Sequence, residues 1–384
     1  MKFWQKNLPQ VLLLWSLTGV PAFATTPGPQ LKDEMRIMAQ SMLDLFPALC
    51  SRSAFTDPKN QEFIEKRLQA MSSTFSQVGD HFKAVPLTRK ISYQLVLEHI
   101  QDTQRVFSGP NKKLAQNMLK ATTQMCISCH SMDNQERSLF KDLDPKQFSS
   151  DFEWGEFHYM TRDAQKALTA FNHYLQTPEA KDNPDNLELA LRRELAIYLR
   201  ILKDPQEAIK NFEALNSDSH FPDFAKNMLK EWLEELRGKD FQQLEKQNNP
   251  TLPQIEKLVA PLIKEEGVES LIRGRKEVRS LWAVNQIYTY LMNHNKKTPQ
   301  LLYWLANLEE GQENNLFYPL AQVYLKECVE KFPGNPYAKK CYQEYADYIQ
   351  FSFTGSSGTH IPAEIEAELK QLRSHLSAKG KRHH

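Results

Sequence analysis

The sequence predicts an all-α protein, a four-helix segment followed by an array of helical hairpins. Three observations carry that prediction. Glycine is scarce, 13 in 384 residues, whereas hairpin turns and phosphate-cradling loops are rich in it. Apolar residues recur at three- and four-residue spacing along most of the chain. Acceptor-plus-proline pairs such as Asp57-Pro58 and Asp204-Pro205 stand where helices would begin. The length suggests roughly two domains. Lys and Arg number 48 against 47 Asp and Glu, a net charge of +1, which speaks against a nucleic-acid binder. Five cysteines are too few for a disulfide scaffold.

Residues 1–24 read as a secretory signal peptide. Lys2 and Lys6 precede an apolar run from Val11 to Val20, and Ala22-Phe23-Ala24 supplies small residues at a cleavage site. The run is about ten residues, short of the roughly 20 that span a bilayer. The mature chain is therefore expected in the periplasm, with no transmembrane segment.

Residues 25–136 read as a four-helix bundle. Met35, Met38, Met42, Leu45, Phe46 and Leu49 give the first helix, over about 31–49. Asp57-Pro58 opens a second, to about residue 83, and Pro86-Leu87-Thr88 a third, to about Phe107. Ser108-Gly109-Pro110 stops the third, and a fourth follows from about Asn111 to Met132. Short connections favour antiparallel neighbours.

The fourth helix carries Cys126-Ile127-Ser128-Cys129-His130, the C-x-x-C-H pattern of c-type haem attachment. Thiols three residues apart on a helix share a face, so each can bond one haem vinyl carbon, and the adjacent His130 can bind iron from the proximal side. No second C-x-x-C or histidine pair suggests zinc, and no βαβ pattern suggests a thioredoxin-like dithiol. One covalent haem c is the expected cofactor.

The late position of this motif, after three helices, resembles the class II cytochromes c, the four-helix cytochrome c-prime family and its low-spin c556-type relatives. The resemblance covers about residues 30–135. It extends to the first helix, where Met35-Arg36-Ile37-Met38-Ala39-Gln40-Ser41-Met42 fits M/L-x-x-M-x-x-x-M. It implies Met35 as the distal iron ligand, with Met38 the next candidate. Met35, Met38 and Met42 equally suit the core face of an amphipathic helix. With Met35 bound, one-electron transfer or redox sensing is implied. Without it, an open distal site would admit NO or CO. Two family positions that are commonly basic hold Asn134 and Leu31. His81 and His99 read as ordinary surface or core histidines.

Residues 137–151 read as a linker, and 152–350 as paired helices. Ala167, Ala170 and Tyr174 give the small-and-aromatic register of one helix. The stretch from Leu202-Lys203-Asp204-Pro205 through Ala208-Ile209 to Phe212 resembles the tetratricopeptide-repeat signature. A similar hairpin spans about Phe317–Gln350, turning at Pro333-Gly334-Asn335-Pro336. The resemblance implies a TPR-like array that binds a protein partner. A periplasmic TPR scaffold with a merely structural cytochrome-like domain is the alternative, and homodimers are compatible with either. Cys328 and Cys341 lie equidistant from the turn and could pair across it, leaving Cys50 as a free thiol. His158, His173, His220, His294 and His360 are scattered, and no enzyme site is expected. Residues 351–384 read as a Gly/Ser/Thr loop, a last helix over Ala363–Leu376 and a polar tail.

Overall fold

The structure, a computed structural model, describes residues 29–77, 93–130, 143–218, 221–247, 249–263, 273–294, 296–310, 321–355 and 358–377. Of residues 29–32, 93–95, 124–130, 273–275, 310, 355, 364 and 377 it describes the backbone alone. The expected signal peptide, His81, the opening of the third helix at Pro86, the first part of the linker, His220 and the start of the Phe317 helix lie outside the described residues. The described chain is all-α apart from one two-residue strand pair.

The first five helices are α1 (Pro29–Cys50), α2 (Arg52–Thr56), α3 (Gln61–Gln77), α4 (Tyr93–Ser108) and α5 (Lys112–His130). The expected second helix does not start at Asp57. Ser51 first accepts from the Ala54 amide and opens the short α2. Asp57 then caps a single 3-10 turn, Pro58–Asn60, by accepting from the Lys59 amide. The reason for the detour is Phe55 on α2, fully buried and edge-on to Phe107 with centroids 5.5 Å apart. Helix α1 packs on α3, α3 on α4, α4 on α5, and α5 back on α1.

Ahead of α6 (Asp151–Met160), Asp144 caps the 3-10 turn Pro145–Gln147 and Ser150 caps the helix. The described part of the expected linker is not merely a spacer. Phe148 is buried against Phe157 and Trp154, and Phe157 meets Phe46 of α1 at 5.0 Å. Helix α7 (Ala164–Leu175) packs closely on α6. Gly155 allows the approach, since a Cβ there would stand 2.5 Å from the Phe171 ring. Phe171 is fully buried, so Gly155→Ala is expected to cost about 1–3 kcal/mol by overpacking, read as a lower denaturant midpoint at unchanged slope.

The chain continues through α8 (Pro178–Asp182), α9 (Pro184–Ala196), α10 (Pro205–Ser217), α11 (Asp223–Arg237), α12 (Lys239–Glu245), α13 (Leu252–Ile263), α14 (Arg273–His294), α15 (Pro299–Glu310), α16 (Ala321–Lys331) and α17 (Pro336–Ser352). Helices α8, α9, α10 and α17 start alike: Thr177, Asn183, Asp204 or Asn335 accepts from the first turn, and proline fills the first helical position. Helix α9 ends in a π-helical turn, Ile197–Leu202, closed by left-handed Lys203. The Asn285 amide of α14 donates to the Leu199 carbonyl in that turn.

Successive helices pair across the array, α10 with α11, α15 with α16 and α16 with α17. Cys328 and Cys341, both fully buried, form a disulfide between α16 and α17 with Cα atoms 6.2 Å apart. Cys50 is the last residue of α1 and a buried free thiol. The expected loop at 351–361 is more ordered than its composition suggested. Helix α17 runs to Ser352, and β1 (Thr354–Gly355) pairs antiparallel with β2 (Gly358–Thr359). Gly358 supplies the φ of +106° that this turn requires. Helix α18 (Ala363–Ser377) follows. One contiguous buried cluster runs from Met38 of α1 to Leu372 of α18.

Glu194 of α9 is an acid inside this core. It is fully buried and accepts from the Asn211 amide at 3.0 Å. Burial pushes its carboxyl up to about 8, so it is folded in as the neutral acid. A folded-state value above the ordinary 4.5 means stability present at low pH and lost as pH rises through about 8. The fall in melting temperature is expected between about pH 7 and pH 8, above the range in which the buried neutral His99 and His158 would gain protons on unfolding and oppose it. Glu194→Gln should flatten that slope, and an unchanged slope would refute the assignment.

Candidate functional site

The backbone of α5 places Cys126, Cys129 and His130 on its last two turns. Their side chains lie outside the description. What stands opposite them follows from the register of α5 on α1. Near one end, the Gln116 amide of α5 donates to the Leu49 carbonyl of α1 at 2.8 Å. Four residues on along α5, Lys120 meets Glu156 of α6 at 3.2 Å, and three residues back along α1, Phe46 meets Phe157 of α6. The two helices therefore run antiparallel. Met35 lies fourteen residues from Leu49, and His130 fourteen from Gln116. At the helical rise each has travelled about 21 Å, so their backbones stand at one level. By the same register Met38 is level with Ile127 and Met42 with Thr123.

Helix α3 adds to this end. The chain turns back through α2, which touches both α1 and α3, and Arg67 then pairs with Asp44 at 2.7 Å, so α3 returns along α1 and carries Met71 and Phe75 toward the Met35 end. Met38, Met42, Met71, Phe75 and Val96 of α4 are all buried. Met35 is partly buried and packs against the same core. The opposite face of α1 is solvated, with Ile37 exposed and Arg36 paired to Asp33 on the surface.

The buried threonines approaching the motif are satisfied within α5. Thr122 and Thr123 donate to the carbonyls of Met118 and Leu119 at 3.0 and 3.1 Å. His99 of α4 is buried, and its Nε2–H donates to the Met118 carbonyl at 2.9 Å. Burial pulls its imidazole down to about 4, so it is a neutral tie between α4 and α5. His158 is likewise neutral, pulled to about 4 by burial beside Trp154, with ring centroids 4.1 Å apart. His173 pairs with Asp151 on the surface, and His294 stacks on Tyr290.

Sequence reasoning missed the charged tie that holds α5 to the rest of the chain. Glu156, fully buried, accepts from Lys120 and, at 2.7 Å, from Arg193 Nε on α9. The Arg193 guanidinium in turn lies over the Tyr159 ring, 4.6 Å from its centroid. The signal was present in Phe152-Glu153-Trp154-Gly155-Glu156-Phe157, where aromatic residues flank an acid that a solvated helix face would not hold.

Two thiols and an imidazole at the end of one helix, level with a methionine-rich apolar stretch of another, fit a covalently held macrocycle. A dry apolar wall suits a porphyrin, and a thioether suits its iron. Among the described residues, which leave out the side chains of Cys126, Cys129 and His130, no group of three His, Cys, Asp or Glu could hold a metal ion. Among the same residues no helix is long and apolar enough to cross a membrane. Comparison with protein-family models, with curated proteins and with solved structures returns no match for the chain.

Proposed function

We propose that the chain is a secreted, periplasmic monohaem cytochrome c that works in one-electron transfer or redox sensing. In this reading α1, α3, α4 and α5 form a four-helix bundle of the class II kind. Cys126 and Cys129 hold haem c, His130 is the proximal ligand and Met35 the distal one. The observation that carries the reading is C-x-x-C-H on the last turns of α5, at the level of Met35 on an antiparallel α1.

Bound haem supplies a one-electron iron couple. The residues of the chain do the rest. Met38, Met42, Met71 and Phe75 exclude water. A Met35 thioether on the iron favours its reduced state and raises its potential. Helices α6–α17 form a TPR-like array whose proposed role is to bind a protein partner, as stacked hairpins commonly do.

The test is a pyridine haemochrome spectrum of protein matured with the cytochrome c machinery, taken after acid extraction of unattached haem. A c-type spectrum that disappears in Cys126→Ser/Cys129→Ser is the expected result. No covalent haem in the unaltered protein would refute the proposal and leave the scaffold reading. A five-coordinate haem that binds NO or CO is the second reading, and the partial exposure of Met35 favours it. A high-spin spectrum of the unaltered ferrous protein would select it.

A further inference from the structure

The end of the chain closes back onto α4 through one buried ammonium. Lys326 of α16 is 7% exposed. It meets Glu368 of α18 at 2.9 Å, Glu98 of α4 at 3.4 Å and Asp102 of α4 at 3.8 Å. Tyr345 of α17, also buried, donates to Glu368 at 2.7 Å. Its ring centroid lies 6.0 Å from the ammonium. Glu330, one turn beyond Lys326, feels Glu98, Lys326, Lys331 and His375 of α18. Arg105 reaches Asp102 at 3.1 Å but is 40% exposed. His99, the remaining ionisable group on this stretch of α4, is neutral. A cleft lined by Asp102, Arg105, Tyr348, Ile365 and Glu368 opens beside the cluster and gives water and protons access to Asp102.

Three carboxylates from two helices thus share a single buried cation. Carboxylates crowded this way repel one another, and α4 and α18 are held to α16 only while that repulsion is offset. We propose that Lys326 is the pin of a pH-sensitive clasp that joins α16 and α18 to α4. The clasp needs no haem and is independent of the function proposed above.

The charge states set its direction. Burial pushes the Asp102 carboxyl above its ordinary value, against the pull of Lys326. Burial, then Glu98, does the same to Glu330. Burial lowers Lys326, but Glu368, Asp102 and Glu98 together hold it above the ordinary lysine value. Acids raised in the closed form stabilise it fully below their ordinary values, and that stabilisation is lost as pH rises through the raised ones. The clasp is tightest in acid and loosens as pH rises through the raised values of Asp102 and Glu330, while the cation stays charged throughout.

Hydrogen exchange of α18 in the full chain tests this, with the amides of α14 as an internal control. In the unaltered protein, protection of α18 relative to α14, corrected for intrinsic exchange, should drop several-fold from about pH 4, near the ordinary carboxylate values, to about pH 8. Asp102→Asn/Glu330→Gln should remove that pH dependence and keep α18 protected. Lys326→Met removes the ammonium that Glu98, Asp102 and Glu368 share, while Asp102 keeps the more exposed Arg105, so α18 should lose about tenfold or more of its protection at neutral pH. Most of the loss should return in acid, with α14 unchanged. Adding Glu98→Gln, Asp102→Asn and Glu368→Gln to Lys326→Met should restore protection at neutral pH, which separates the clasp from a general folding defect. Unchanged α18 protection in Lys326→Met, or a pH dependence that survives Asp102→Asn/Glu330→Gln, would overturn the proposal.

Discussion

Met35→Ala is expected to convert a low-spin haem protein into a high-spin one without loss of the covalent haem. The weak long-wavelength ferric band of methionine ligation should vanish, the midpoint potential should fall, and CO should bind the ferrous form directly. The register of α5 on α1 makes the effect specific to one methionine. Met35 stands level with His130, whereas Met38 and Met42 stand level with Ile127 and Thr123 and are almost completely buried. Met38→Ala and Met42→Ala should therefore leave the spin state alone. They should instead lower stability by about 2–5 kcal/mol each, as large-to-small changes in a core do. The two classes of effect are separable in one set of proteins by optical spectra and chemical denaturation. If Met38→Ala changes the spin state and Met35→Ala does not, the ligand assignment moves one turn along α1. If neither does, ligation by these methionines fails, and the five-coordinate reading stands only where the unaltered protein is itself high-spin.

How much of this was readable in the sequence depended on how local the chemistry was. The C-x-x-C-H pattern is read within five residues. The X-Pro helix starts at Asn335-Pro336 and Asp204-Pro205 depend on a side chain and the amides two or three residues away, so composition sufficed. The Cys328–Cys341 pair was visible because both residues flank one turn at similar distance. The 3.6-residue period of α1 showed which methionines face inward, but not what stands opposite them. That required the hydrogen bond from Gln116 to Leu49, across 67 residues. The α2 detour escaped notice because its cause, Phe107, lies far along the chain. Phe148 was hidden in the same way within a charged stretch. The Lys326 cluster joins residues more than two hundred positions apart, and no periodicity marks a lysine that will be buried.

Glu156 is where the largest loss of stability is expected. Its carboxylate is fully buried and accepts from Lys120 and Arg193, whose side chains are 12% and 1% exposed. Two cations therefore meet at one anion in a region with little water. Such a group need not stabilise the fold relative to a well-packed apolar one, because desolvation offsets most of the attraction. Removing only the anion is a different matter. Glu156→Ala leaves both cations buried and facing each other, with a void between α6 and α9, and is expected to cost about 3–5 kcal/mol. Glu156→Gln fills the void yet removes the negative charge that the two cations share, so it should recover less than half of that loss. Lys120→Met/Glu156→Leu/Arg193→Met removes all three charges together and should return stability to within about 1–2 kcal/mol of the original. The ordering Ala, then Gln, then triple variant is the signature of an electrostatic tie, and denaturant midpoints at constant slope measure it. A Glu156→Ala cost under about 1 kcal/mol would place the group at the solvated end of the scale. It would also remove the physical reason for treating α6 and α9 as the anchor of the helix that bears Cys126, Cys129 and His130.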